Sequence, residues 1–157
     1  MAEPAQRKPI ASNRKARFDY EILETVEAGI ALLGPEVKSM RAGKANLSDA
    51  YAIVRRGEIF LVGAHVSPYA QAHRENPDPK RERKLLLHRS EIARLASKVA
   101  ERGLTLVPLE LYFSDGRAKV ALALARGRRR HDRREAIRAR EHAREVRRAV
   151  RQRGRGE

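Results

Sequence analysis

Apolar and polar residues alternate through most of this chain, and a period of two predicts strands. Over residues 104–113 the buried side is expected to carry Val107, Leu109, Leu111 and Phe113. Ser114-Asp115-Gly116 predicts a hairpin turn. The return strand should then point Val120, Leu122 and Leu124 inward and Lys119, Ala121 and Ala123 outward. A second hairpin is expected from strand 46–55 across Arg56-Gly57 to strand 58–64. Residues 18–26 are mixed: Tyr20, Ile22 and Glu24 alternate with Asp19, Glu21 and Leu23, as at a barrel edge. Glu27-Ala28-Gly29 is expected to bend this strand, and Ile30 and Leu32 then oppose Ala31 and Leu33.

Two stretches switch to helical spacing. Pro35 suits the first helical position, Val37 and Met40 share a face, and Gly43 provides a stop. Lys38, Arg41 and Lys44 lie around the other side, which makes this short helix a plug with a cationic outer surface. Further on, Ser90 is the expected N-cap of a helix carrying Ile92, Leu95, Ala96 and Val99, ended by Gly103. Its opposite ridge is Arg94, Lys98 and Arg102, and His88 just before it reads as a helix-start or core-edge residue. Residues 67–79 hold three prolines and no period, and 80–84 are a basic cluster. About six antiparallel strands with two helices predict a mainly β fold, a small and partly closed antiparallel barrel. The expected organisation is a flexible leader over 1–12, the barrel over 13–125 and a basic tail over 126–157.

The tail changes the picture. It holds 14 Arg and 5 acidic residues, net +9, within a chain whose formal net charge is +15. Its apolar series Ala136, Ala139, Ala143, Val146 and Val150 is helical in spacing but too small to anchor on a barrel. Crowded like charges oppose a helix that lacks a counterion. The tail is therefore expected to be disordered alone and helical when sheathed by phosphate; the alternative is a permanently docked helix. Such charge favours a polyanion through counterion release. An anionic membrane would ask for bulky apolar anchors opposite the cations, and the tail offers mostly Ala and Val.

Candidate chemistry is sparse. No two of His65, His73, His88, His131 and His142 stand at the spacing of a helical metal pair. Asp49, Asp78 and Asp132 have no assignable carboxylate partner, and neither a phosphate-binding glycine loop nor a nucleophile elbow occurs. Catalysis, a metal and a cofactor are not expected. No cysteine, no signal peptide and no membrane-length apolar run predict a soluble cytoplasmic protein. The aromatics are Phe18, Tyr20, Tyr51, Phe60, Tyr69, Tyr112 and Phe113, too few to fill a core and also stack successive bases. That favours a folded RNA, gripped by charge and shape, with core roles ahead of base stacking for Tyr20 and Tyr51.

Six motifs in order carry a resemblance: NRKARFDY from Asn13, EAGIALLGPEVKSMRAGKANLSDAY from Glu27, RKLLLH from Arg83, GLTLVPLELYF from Gly103, AKVALALARG from Ala118 and HDRR from His131. Together they resemble the SmpB family of SsrA-binding proteins. The resemblance implies an OB-fold-like (oligonucleotide-binding) barrel and a non-enzymatic adaptor. Such an adaptor binds the tRNA-like domain of transfer-messenger RNA (tmRNA), as a monomer in a 1:1 complex, and delivers it to stalled 70S ribosomes for trans-translation.

The family's RNA-contact positions map onto Asn13, Glu27, Leu86 and Lys119, alongside the cations Arg14, Lys15, Arg41 and Lys44. Glu27 would accept hydrogen bonds from base amines or orient a neighbouring cation, against the simpler role of a bend residue satisfied by backbone N–H groups. The ribosome-binding tail would be Gly127, Arg128, Arg129, Asp132, Arg133 and Arg134, entering the empty mRNA channel beside the decoding centre and rRNA. Phe18 stands where many relatives have histidine, and His142 where an aromatic tail anchor is common. The alternative is a structural ribosomal or ribosome-assembly protein that binds rRNA.

Overall fold

The computed structural model describes residues 7–127 and 130–155. The chain forms strands β1 (Arg7–Ser12), β2 (Tyr20–Ile30), β3 (Ala45–Asn46), β4 (Tyr51–Arg55), β5 (Glu58–Val62), β6 (His65–Val66), β7 (Arg83–Leu86), β8 (Thr105–Ser114) and β9 (Arg117–Gly127). Its α-helices are α1 (Arg14–Asp19), α2 (Gly34–Arg41), α3 (Arg89–Arg102) and α4 (Arg130–Arg155). Seven strands follow the order β1-β8-β4-β5-β7-β2-β9, and β9 pairs back on β8. That last pairing closes a ring of six antiparallel strands, the barrel expected from the alternation. β1 lies outside the ring, against the 110–114 half of β8. β3 and β6 form a separate two-stranded ladder.

The barrel interior is apolar and holds Leu61, Leu85, Leu95, Leu106, Leu111, Val120, Leu122 and Leu124 among its buried side chains. One expectation fails at β8, where the register shifts between Pro108 and Glu110. An extra residue in one strand reverses which face later side chains meet. Leu104, Leu106, Leu111 and Phe113 therefore face the interior, whereas Val107 and Leu109 face outward. Out there they join Ala16, Ala123 and Ala125 in a second buried cluster beneath α1. Ala123, expected at the surface, is covered for the same reason.

The leader expectation also fails over its second half. Residues 7–12 form β1, with Ile10 and Ala11 packed on the core; residues 1–6 lie outside the described ones. Pro9 is tolerated because β1 is an edge strand. The strand expected from residue 18 begins at Tyr20, because Asn13 caps a short helix there. Its Oδ1 accepts from the Ala16 N–H at 3.2 Å. Glu27-Ala28-Gly29 does not interrupt β2, which pairs in register with β9 through these residues; the register shift lies between Ile22 and Glu24. On α3 the cap is His88, two residues earlier than the expected Ser90, and Gly103 ends the helix in the left-handed region at φ 61°.

The cluster at 80–84 is mostly internal. Arg83 is fully buried and reaches Glu36 at 2.6 Å, while Arg81 reaches the same carboxylate at 2.6 Å. Arg83 also donates to the carbonyls of Ala64 and Pro79, which ties the irregular 67–82 segment to α2. Lys84 pairs with Glu58. The ridge of α3 is likewise spent on the fold, since Arg94 and Lys98 both bind Glu24 of β2. The tail is helical as α4. Its described side chains, 137–151, are all exposed, and Arg140 sits 4.6 Å over the Phe18 ring of α1.

Candidate nucleic-acid interface

Removing the internally paired cations leaves a smaller set free for a partner. Arg14, Lys15, Arg41 and Lys44 are all exposed, and no ion pair among the described residues engages them. Arg14 and Lys15 project from α1, on the rim of a shallow concavity shared with Asn46 and Ser48. Arg41 ends α2 and lies 6.0 Å over the Phe113 ring. Asn13 differs from this group. It is only 4% exposed, and its Nδ2 donates to the Pro108 carbonyl at 3.0 Å. With the capping bond to Ala16 it fastens α1 onto β8, so its contribution is to position Arg14 and Lys15.

The other three contact positions meet on one outer face of the sheet. β2 runs between β7 and β9, and its Gly29 is in register with Leu86 on one side and Lys119 on the other. Glu27, two residues back, points to the same face. A Cβ on Gly29 would stand 3.2 Å from the Leu86 Cβ, so glycine lets these side chains close together. Leu86 is 52% exposed, an apolar side chain presented beside charge.

Glu27 is the hub of this face. Lys119 Nζ donates to its Oε1 at 3.0 Å, Tyr112 donates its hydroxyl to Oε2 at 2.5 Å, and Arg7 approaches Oε2 at 3.6 Å. The hydrogen bond from Tyr112, then that from Lys119, hold the Glu27 carboxyl below the usual carboxylate range. Burial, then the bond to Glu27, push the Tyr112 phenol up to about 12. Glu27 is thus an ionised carboxylate that fixes two cations, the orienting role. Its carboxylate is met by the side chains of Tyr112, Lys119 and Arg7 rather than by the backbone N–H groups of a bend residue.

Sequence reasoning missed Arg7, consigned to the leader, and Tyr112, named only among the aromatics with no role of its own. Only the pairing of β1 with β8, and of β8 and β2 with β9, reveals them, and no local signal encodes it. Tyr51 is 46% exposed beside Lys15 and Tyr20 in a concavity under α1. Of the tail positions, Gly127 ends β9 and Asp132, Arg133 and Arg134 fall in the first turns of α4. Arg128 and Arg129 lie outside the described residues. Among the described residues no group of three His, Asp or Glu side chains is placed to hold a metal, and no helix is long and apolar enough to cross a membrane.

Comparison with known proteins places this geometry. The family model described as SmpB protein matches residues 10–152. The SsrA-binding protein of Symbiobacterium thermophilum is 59% identical over 148 residues, covering 94% of each chain. That of Acidothermus cellulolyticus is 54% identical over 156 residues, covering 99% of this chain and 98% of its own. A chain in the solved structure "tmRNA-SmpB: a journey to the center of the bacterial ribosome" is 53% identical, with a TM-score of 0.66 over 83% of this chain and 95% of that one.

Proposed function

The chain belongs to the SmpB family, and on that premise we propose that it is a non-enzymatic RNA-binding adaptor of trans-translation. It binds the tRNA-like domain of tmRNA and delivers it to ribosomes stalled on broken messages in the cytoplasm. The observation that carries this reading is the outer-face cluster. Glu27 holds Lys119 and Arg7 in place, and Leu86 stands across Gly29. Cations prepositioned by a carboxylate lose little side-chain entropy when a phosphate arrives. The apolar Leu86 beside them suits an exposed base or ribose, so the face favours a shaped RNA over generic polyanion. Arg14, Lys15, Arg41 and Lys44 add phosphate contacts around the barrel.

The tail is the ribosome-reading part. In α4, Arg140 and Arg144, Arg144 and Arg148, and Arg147 and Arg151 are like charges four residues apart, each pair unfavourable in a helix. With its described side chains exposed, the helix is marginal in the free chain and gains stability against rRNA phosphates in a vacant mRNA channel.

Filter binding tests the reading. The wild-type chain should capture a transcript of the tRNA-like domain tightly, and rRNA fragments of equal length far more weakly. Equal affinity for both would favour a structural rRNA-binding protein instead.

A further inference from the structure

β1 carries two cations: Arg7, already held against Glu27, and Lys8, which the interface described above does not use. Consecutive side chains of a strand point to opposite faces of its sheet, and both of these find a prepared setting. Arg7 lies 4.5 Å over the Tyr112 ring and 3.6 Å from Glu27, yet its side chain remains 57% exposed. Stacking fixes the guanidinium plane and leaves N–H groups at its edge free for a bidentate acceptor. On the other face, Lys8 stands in register with Phe113 and lines a concavity of about 610 Å³ with Met40, Arg41 and Phe113. Asp115 also lines this concavity. Two cations and one carboxylate thus meet at this hollow, and among the described residues no ion pair engages Lys8 or Arg41.

We propose that β1 is an RNA-binding edge, with Arg7 and Lys8 each engaging a backbone phosphate of the bound RNA on opposite faces of the sheet. β1 ends the strand order, and Pro9 discourages recruitment of a further strand along that side. A polynucleotide can turn around such an edge and meet both cations; a flat membrane surface reaches only one face. Arg7 joins the edge to the Glu27–Lys119 row, and Lys8 joins it to Arg41. The two halves of the interface thereby become one continuous path.

This inference rests on the functional reading above, and its test separates the two. Binding of the tRNA-like transcript is measured against salt for the wild-type chain, Arg7→Ala, Lys8→Ala and the double variant. Each lost phosphate contact should reduce the slope of log K against log salt by about 0.9, hence about 1.8 for the double variant. Arg102→Ala, at the exposed end of α3, should leave the slope unchanged. The chain contains no cysteine, so Lys8→Cys and Lys119→Cys can each carry a single photocrosslinker. Both should attach to the transcript. A double variant that keeps the wild-type slope while the wild type still selects the RNA overturns the edge. So does attachment from position 119 with none from position 8. A wild-type chain without preference for the transcript overturns the functional reading, and this inference with it.

Discussion

Glu36 and Arg83 show how much of this protein turns on individual buried groups. Both side chains are essentially inaccessible, at 2% and 0% exposure, and Arg81 covers the same carboxylate. Glu36→Gln leaves the Arg83 charge buried without its counter-charge. The expected loss is about 3–5 kcal/mol of stability by urea unfolding; a loss near zero would mean that Arg83 finds another acceptor. Gly29 poses the opposite case. Gly29→Ala sets a methyl 3.2 Å from the Leu86 Cβ, which is fixed to the β7 backbone, so the two strands must part by a few tenths of an ångström. Unfolding should change by about 1 kcal/mol, whereas affinity for the tRNA-like RNA should fall roughly tenfold. If stability collapses with affinity, Gly29 serves the fold rather than the face. Arg83 looked like surface charge in the sequence, because an arginine's burial is set by what packs over it. Lys119 and Leu86 were legible through the family pattern, but their partner Tyr112 was not.

At the scale of elements, α4 and β1 both lie outside the six-stranded ring. α4 rests on α1 through Arg140 over Phe18, a cation–π contact worth about 0.5–1 kcal/mol at an exposed site. A chain cut after Gly127 should therefore melt within a few degrees of the full chain. It should still capture the RNA and lose only ribosome-dependent tagging. Unfolding of the barrel on truncation would make α4 a structural element. Circular dichroism of a 130–155 peptide should show helix rising when phosphate polyanions are added. β1 was unreadable because its two prolines' worth of leader, Pro4 and Pro9, argues locally against a strand. Its stability comes from a partner about a hundred residues away. The reversal of faces in β8 was hidden for a related reason: alternation on both sides of Pro108 is intact, and only pairing with β9 reveals the added residue.

For the whole molecule, the ion pairs set the pH range of stability. Glu24 is lowered chiefly by its hydrogen bond from Lys98, and Glu27 by that from Tyr112. Burial works to raise Glu36, but bonds from Arg81, the Leu33 N–H and Arg83 outweigh it and hold the carboxyl low. A carboxylate whose folded pKa is depressed stabilises above its unfolded value and loses that contribution as pH falls through the folded one. Stability should accordingly decline as the solution is acidified below 4.5. Tyr112 acts at the other end. Its phenol is raised from 10.0 to about 12, so its contribution is whole below pH 10 and lost as pH climbs toward 12. Chemical unfolding across both ranges checks this; a flat acid limb in Glu36→Gln, with the wild type declining, would isolate the buried pair.

Alternation, glycine stops and the density of arginine were enough, read along the chain, to determine a small antiparallel barrel, a long cationic helix-forming tail and a polyanion as partner. These depend on local period and composition, which need no knowledge of neighbours. Which cations are spent inside the fold and which face outward was decided only in three dimensions. So was the meeting of Glu27, Lys119, Arg7 and Tyr112. Charge pairing and burial arise between residues far apart in sequence, and no local pattern records which strand lies beside which.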